Sequence, residues 1–406
     1  MLYLVGETRV EREEGELATL YAEHAREFVR RFGPGPPRQF FAPGRVNLMG
    51  AHLDYNGGPV MPVAIDRGTF IAVRPRADRR VRFASTFASE GFDADLDGLP
   101  DVRAGTWCDY PLGVLREVLA GVAGDRVEGL DVLFGGNLTV GAGLSSSASI
   151  CVGTALALSE VWGLGLDAML RVRAALRAER DFVGVRCGIM DPFAVGLARP
   201  GSLLWLDCKD ESTRHLPFDF DHISLAVADS GVRRELAAGL FNERVDECRR
   251  AFEILREEQP DATCLRDVFP DTLAARRSAL GPLLARRAQH VIEEVGRALA
   301  ARDALLDGRP AGFGARMTSA HESLRDLFEV SCPELDCLVE TAATVDGVLG
   351  ARLTGAGFGG CAVILIRRGG EAELNARLTE AFRARFAQEA AVEVYSADRG
   401  PREVEV

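Results

Sequence analysis

Residues 136–149 read Gly136-Asn137-Leu138-Thr139-Val140-Gly141-Ala142-Gly143-Leu144-Ser145-Ser146-Ser147-Ala148-Ser149. Asn137 to Val140 reads as a strand, Gly141-Ala142-Gly143 as a turn, and Ser145 to Val161 as a helix. A strand that runs through glycines into a helix leaves unpaired backbone N–H groups where an anion can approach closely. The three hydroxyls at that helix end can bind phosphate oxygens or a metal. The same pattern also suits an ordinary helix start, because serines cap helices. Taken alone, the segment leaves both readings open.

The rest of the composition narrows the choice. Lys209 is the only lysine, so 47 of the 48 basic residues are arginine. A Walker-type phosphate loop requires a lysine beside its last glycines, so that class is excluded. Phosphate must then be held by backbone amides, a helix N-terminus, arginine and metal. The formal charge of −12 argues against a general surface for nucleic acid or anionic membrane. No uncharged apolar run reaches the ~18 residues of a membrane span, and the apolar opening is too short for a signal peptide. Nine scattered cysteines without a CxxC pair argue against a disulfide framework or a zinc knuckle. A reduced, cytoplasmic protein with no nucleic-acid or membrane partner is expected.

Along the chain, residues 15–32 predict an amphipathic helix that stops at Gly33-Pro34-Gly35-Pro36-Pro37. Short apolar runs at Phe40-Phe41, Val60 to Ile65 and Thr69 to Val73 read as strands. A further helix is expected over 166–183, ending at a Cys187-Gly188 break. The second half reads as helices at 235–256, 283–306, 311–327 and 333–346, with a strand from Ala362 to Ile366. Arg199-Pro200-Gly201 marks a boundary between domains 1–199 and 200–406.

Three further segments carry chemistry. In Phe41 to Gly58, Arg45, His52 and Asp54 stand among glycines in an apolar setting, as in a polyol-binding loop, since a carboxylate accepts two hydroxyl protons at once. A solvated surface ion pair is the competing reading. In Ala178 to Asp191, Asp191 follows small and apolar residues, and a buried carboxylate needs a partner. It is a candidate base or metal ligand, or the cap of a helix starting at Pro192, and Glu179 can face the same cavity. In Gly350 to Ala362, the glycines at 355, 357, 359 and 360 require positive φ or close approach, in a plain hairpin or beside a ligand.

In this order and at these distances, the four segments resemble galactokinase, a member of the GHMP kinase superfamily. The resemblance covers nearly the whole chain and includes Trp107 to Gly113, Ser319 to Leu324 and Val330 to Asp336. It implies an α+β, two-domain fold, with a mixed-sheet N-terminal domain, an α+β C-terminal domain and the active site between them. It implies transfer of the ATP γ-phosphoryl group to the anomeric hydroxyl of galactose with Mg²⁺; a monomer is expected. Asp191 then matches the residue that takes or polarises the hydroxyl proton, and Arg45 the arginine that stabilises the transferring phosphoryl group. Gly141, Ala142, Gly143, Leu144, Ser145, Ser146 and Ser147 match the loop around the ATP phosphates, and Trp107 the tryptophan near the base. Ser147 and Glu179 match the magnesium ligands. His52 and Asp54 match sugar contacts, and Gly355 and Gly357 belong to the glycine-rich motif bordering the site.

Two departures bear on the sugar. Ala51 stands where the family usually has a glutamate near the C6 hydroxyl, and Phe241 where it usually has a tyrosine. Losing the partner of a buried hydroxyl costs ~1–3 kcal/mol, or ~10–100-fold in affinity. A sugar altered at C6, such as galacturonate or L-arabinose, is therefore an alternative substrate, with Arg233 or Arg234 available for a carboxylate. Pro192 replaces the family's usual glutamine. A non-catalytic sugar and ATP sensor is a further alternative, against which stands the presence of Arg45, Ser147, Glu179 and Asp191 together.

Overall fold

The computed structural model describes residues 9–122, 127–138, 143–232 and 237–405. Its strands are β1 (Arg38–Asn47), β2 (Pro59–Val60), β3 (Pro62–Pro75), β4 (Arg80–Ser85), β5 (Phe92–Asp95), β6 (Leu130–Gly136), β7 (Ser202–Asp207), β8 (Thr213–Pro217), β9 (Ile223–Asp229), β10 (Val348–Thr354), β11 (Cys361–Arg367), β12 (Ala391–Tyr395) and β13 (Arg402–Val404). Its helices are α1 (Arg9–Phe32), α2 (Asp109–Leu119), α3 (Ser146–Val161), α4 (Ala168–Arg177), α5 (Met190–Gly196), α6 (Ala237–Leu255), α7 (Pro270–Leu306), α8 (Pro310–Asp326), α9 (Pro333–Ala342) and α10 (Glu371–Phe386). A six-stranded mixed sheet has the order β13-β1-β3-β6-β4-β5, with β4 and β6 parallel. A four-stranded antiparallel sheet has the order β10-β11-β9-β12, and a third sheet joins β2, β7 and β8. The last strand of the chain returns to pair with β1.

The first sheet is covered by α2 and α3, where Phe40, Ile71 and Phe134 meet Leu115, Val152 and Ala155. The run of small residues in α3 explains its close seat. A Cβ on Gly153 would lie 2.6 Å from Ile71 Cδ1 and 2.8 Å from Ala42 Cβ. The buried Ser149 hydroxyl donates to the Ala42 carbonyl at 2.7 Å, accepts from the Thr69 amide at 3.2 Å and lies 2.8 Å from Thr69 Oγ1. The helix that opens beside the site is thus pinned to both β1 and β3. A second apolar cluster, with Val46, Val63, Trp205, Val227, Phe313 and Val363, runs between the sheets. At its edge the Asn47 amide donates to Thr354 Oγ1 at 3.1 Å, joining the end of β1 to the end of β10.

The expected strand over Asn137–Val140 is displaced. The strand ends at Gly136, whose φ is +151°, because Asn137 turns to hold Gly68: its side-chain oxygen accepts from the Gly68 amide at 2.9 Å. Thr139 and Val140 lie outside the described residues. The expected helix over 166–183 changes register at Ala178, where a π-helical turn, Ala178–Val183, takes over. The strand expected over Val60–Ile65 and that over Thr69–Val73 are nearly one: β3 is continuous from Pro62 to Pro75.

Replacing Ser149 by alanine leaves buried groups of β1 and β3 without partners. We predict a loss of about 1–3 kcal/mol in unfolding free energy, read from denaturant midpoints; an unchanged midpoint would show that this serine does not fasten the helix.

Candidate active site

β1 carries Arg45 to the junction of the two larger sheets, where its side chain is almost fully buried. The guanidinium grips Asp191 at two points, Nε to Oδ1 at 2.8 Å and Nη2 to Oδ2 at 2.7 Å, and Nη1 donates to the Gly143 carbonyl at 2.7 Å. This planar two-point contact is the arrangement for which arginine is suited and lysine is not. Ser145 adds a third donor, its hydroxyl to Asp191 Oδ2. Ser145 stands at the cap position of α3 with φ +61° and makes no side-chain cap bond. The capping reading fails there because the hydroxyl serves the carboxylate instead, at the cost of a left-handed backbone. Nor does Asp191 cap a helix beginning at Pro192: α5 begins at Met190 after Ile189. A carboxylate has about four acceptor positions, so Asp191, with three donors and its side chain 26% exposed, keeps one direction open.

That direction faces a cavity of about 450 Å³ lined by Arg45, Ala51, His52, Asp54, Ser147, Glu179, Asp191, Phe241 and Gly355. A neighbouring cavity of about 550 Å³ is lined by Trp107 with Phe87, Tyr110, Phe134 and Ser146, and again by Ser147. The N-terminus of α3 therefore lies where the two cavities meet. Gly143 and Leu144 give their carbonyls to Arg45, the second to its amide at 3.0 Å. Gly357 turns away from the cavity: with φ +81°, a Cβ there would lie 2.3 Å from the Val330 carbonyl. The hairpin reading of 350–362 is the one observed, and Gly355 and Ala356 in its β10–β11 turn line the first cavity. Gly141, Ala142, Arg233 and Arg234 lie outside the described residues.

Burial sets the charge states. Glu179, in the π-helical turn, is 3% exposed. Burial pushes its carboxyl up to about 7, against a hydrogen bond from Ser147 and with the charge of Asp191 adding to the rise. Its Oε2 is buried without a hydrogen-bond partner. Burial and the charge of Asp191 push Asp54 up to about 6. Its carboxylate lies against Gly188, where a Cβ would fall 1.8 Å from Oδ2, so the Cys187-Gly188 break admits this side chain. His52 is pushed down to about 3 by burial and then by Arg352, so the ring is neutral. It holds φ +57°, with Nδ1 2.9 Å from the Tyr55 hydroxyl and ring contacts to Phe328 at 4.8 Å and Phe241 at 5.9 Å. Ala51 is fixed through its backbone, its amide donating to Glu294 at 3.3 Å and its carbonyl 3.3 Å from His290 Nε2.

Sequence reading missed Asn47, Arg103, Arg186 and Asn242 in the first cavity and Phe87 in the second. Asn47 and Arg186 lie inside stretches already singled out for chemistry, and Asn242 follows Phe241 directly. Arg103 and Phe87 are exposed loop residues with no local pattern to mark them.

The galactokinase galactose-binding signature matches residues 26–75, the GHMP kinases N terminal domain 109–199 and the GHMP kinases C terminal model 301–384. A galactokinase of Roseiflexus sp. is 40% identical over 375 residues, spanning 92% of this chain and 94% of that protein. The chain belongs to the galactokinase family. A galactokinase of Chloroflexus aggregans is 41% identical over 354 residues, 86% of this chain and 88% of its own. The crystal structure of Lactococcus lactis galactokinase complexed with galactose matches with a TM-score of 0.90 at 30% identity, over 95% of this chain and all of that one. The two-domain α+β GHMP kinase fold expected from the motifs is the fold observed. Among the described residues, no helix is long and apolar enough to cross a membrane.

The raised Asp54 carboxyl yields a signed prediction. Above pH 6 the folded protein holds Asp54 ionised against its surroundings, whereas below about pH 4 it is protonated folded and unfolded alike. Asp54→Asn should therefore stabilise the ligand-free protein by about 1–3 kcal/mol at pH 7.5, with the gain shrinking as pH falls towards 4. Equal denaturant midpoints for parent and variant at pH 7.5 would contradict this.

Proposed function

We infer that the protein transfers the γ-phosphoryl group of ATP to the anomeric hydroxyl of galactose, with the sugar in the Arg45–Asp191 cavity and the nucleotide in the Trp107 cavity. The observation that carries this is the place of Ser147, on the wall of both cavities at the start of α3. A phosphate chain running from a base beside Trp107 past that helix end reaches the cavity that holds the carboxylate. Helix N-termini favour such anions.

The reaction asks for alignment and charge neutralisation more than covalent chemistry. The anomeric O–H donates to the open position of Asp191 while its oxygen attacks the γ-phosphorus. A new O–P bond forms as the bond to the β,γ-bridging oxygen breaks, and that electron pair leaves on ADP. The proton passes to Asp191 and then to water. Three donors already on the carboxylate make it a holder of the hydroxyl first and a late proton acceptor. Arg45 has five N–H donors, and the two not used on Asp191 and Gly143 can meet the transferring phosphoryl group. His52, neutral, and Asp54 are placed for sugar hydroxyls.

The buried, partnerless Glu179 Oε2 suits a cation, because a buried carboxylate oxygen needs a counterpart. Glu179 and Ser147 would hold Mg²⁺, which keeps several waters and takes few protein ligands. Among the described residues no group of three or more His, Cys, Asp or Glu is built for a metal, consistent with an ion shared with phosphate. An ion held there would supply positive charge against the phosphates of the nucleotide. Glu179→Gln should raise the Mg²⁺ concentration for half-maximal rate by about 10-fold or more; an unchanged Mg²⁺ titration would remove this ligand from the scheme.

A second reading concerns the sugar. Ala51 and Phe241 both line the first cavity and offer no side-chain hydrogen bond there, which favours a substrate altered at C6, such as galacturonate or L-arabinose. Coupled measurement of ADP release with these sugars and galactose separates the two. Turnover is expected with galactose, and Ala51→Glu should shift the galactose-to-galacturonate ratio of kcat/KM towards galactose by about 10-fold or more. An unchanged ratio would remove the C6 argument, and absence of turnover with every sugar would leave the sensor reading standing.

A further inference from the structure

With one lysine in the chain, the side-chain cations that can meet a bound triphosphate, beside backbone amides and a metal ion, are arginines. Lys209 is already paired with Asp267, 2.7 Å from Nζ to Oδ1, and lines neither cavity. Three arginines line the first cavity: Arg45, Arg103 and Arg186. Arg45 is committed to Asp191, and Arg186 lies 3.4 Å from Asp246. Among the described residues, Arg103 has no carboxylate partner; its Nη1 donates to the Val183 carbonyl, at the end of the π-helical turn that carries Glu179.

The segment from Arg103 to Trp107 is wound around one carboxylate. Asp109, 2% exposed at the start of α2, accepts the Ala104 amide on Oδ1 at 2.9 Å and the Gly105 and Thr106 amides on Oδ2 at 2.7 and 3.1 Å. At one end of this fixed turn Arg103 reaches the sugar cavity, and at the other Trp107 lines the nucleotide cavity. The indole is itself held, its Nε1 donating to the Glu90 carbonyl at 3.1 Å. A nucleotide with its base beside Trp107 and its γ-phosphorus near Asp191 would span the two cavities that this turn borders.

We propose that Arg103, at the end of the turn that Asp109 holds, binds the terminal phosphates of ATP during transfer. The proposal rests on the kinase reading above. A guanidinium with no carboxylate partner among the described residues keeps donors free for the departing phosphates, where charge accumulates on the leaving ADP oxygen.

The test compares Arg103→Ala and Arg103→Lys with the parent in two ways. Equilibrium binding of ATP and AMP without sugar asks where along the nucleotide the side chain acts, and galactose-dependent ADP release asks what it does to turnover. Arg103 is exposed, so both variants are expected to fold, checked by denaturant midpoint. Arg103→Ala should weaken ATP binding about 10-fold or more while leaving AMP binding within about two-fold, and should lower kcat more than it raises the KM for galactose. Arg103→Lys should recover part of the ATP affinity, since the charge returns without the fork. Equal losses for ATP and AMP, or no loss for either, would overturn the proposal. A parent without turnover whose ATP-to-AMP preference still depends on Arg103 would sink the kinase reading and leave the phosphate contact intact.

Discussion

One buried ion pair organises the site. Arg45 comes from β1, Asp191 from the first turn of α5, and the carbonyl and hydroxyl that complete the pair come from Gly143 and Ser145 at the mouth of α3. Three elements distant in sequence are thus registered against each other by one guanidinium. Removing one partner of such a pair leaves a buried charge uncompensated, worth ~3–5 kcal/mol, so the geometry is over-determined by the same interaction the chemistry uses. Two non-glycine residues with left-handed backbones belong to the same site, Ser145 on Asp191 and His52 on the cavity wall, as strain held at functional positions does.

The division of labour between the two cavities follows from their walls. The first gathers charge: Arg45, Asp54, Glu179 and Asp191, with Arg103 and Arg186. The second has no charged side chain among its described lining residues and presents Phe87, Trp107, Tyr110 and Phe134, a surface for a flat, weakly polar group. Stacking and backbone contacts can hold a base there without side-chain carboxylates. The sugar and phosphate chemistry then falls to the first cavity, where burial raises Asp54 and Glu179 while the arginines hold the balance.

The charged site residues were legible because their sequence surroundings are unusual: Arg45 among glycines, Asp191 after a glycine break, Glu179 on the preceding element. The family resemblance placed both Arg45 and Asp191 at one site, and their direct contact appears only in the fold, since nothing local links positions 45 and 191. The strand over Asn137–Val140 was misplaced because Asn137 has the look of a strand end but spends its side chain on Gly68, a contact 69 residues away in sequence. Local propensity left Ser145 open to reading as a helix cap or as part of a phosphate loop, and its hydroxyl goes instead to Asp191, a tertiary contact that no local pattern shows. Arg103 and Phe87 carried no signal, as exposed loop residues whose role appears only when the α2 turn and the β4–β5 loop are seen to border the cavities.

The most direct test of the account is the position of the transferred phosphoryl group. Coupled ³¹P and ¹H NMR of the product formed from ATP and galactose should show a phosphomonoester whose phosphorus couples to the anomeric proton, formed one for one with ADP. A phosphomonoester coupled to any other sugar proton, or ADP appearing only with inorganic phosphate, would contradict a site in which Asp191 holds the anomeric hydroxyl.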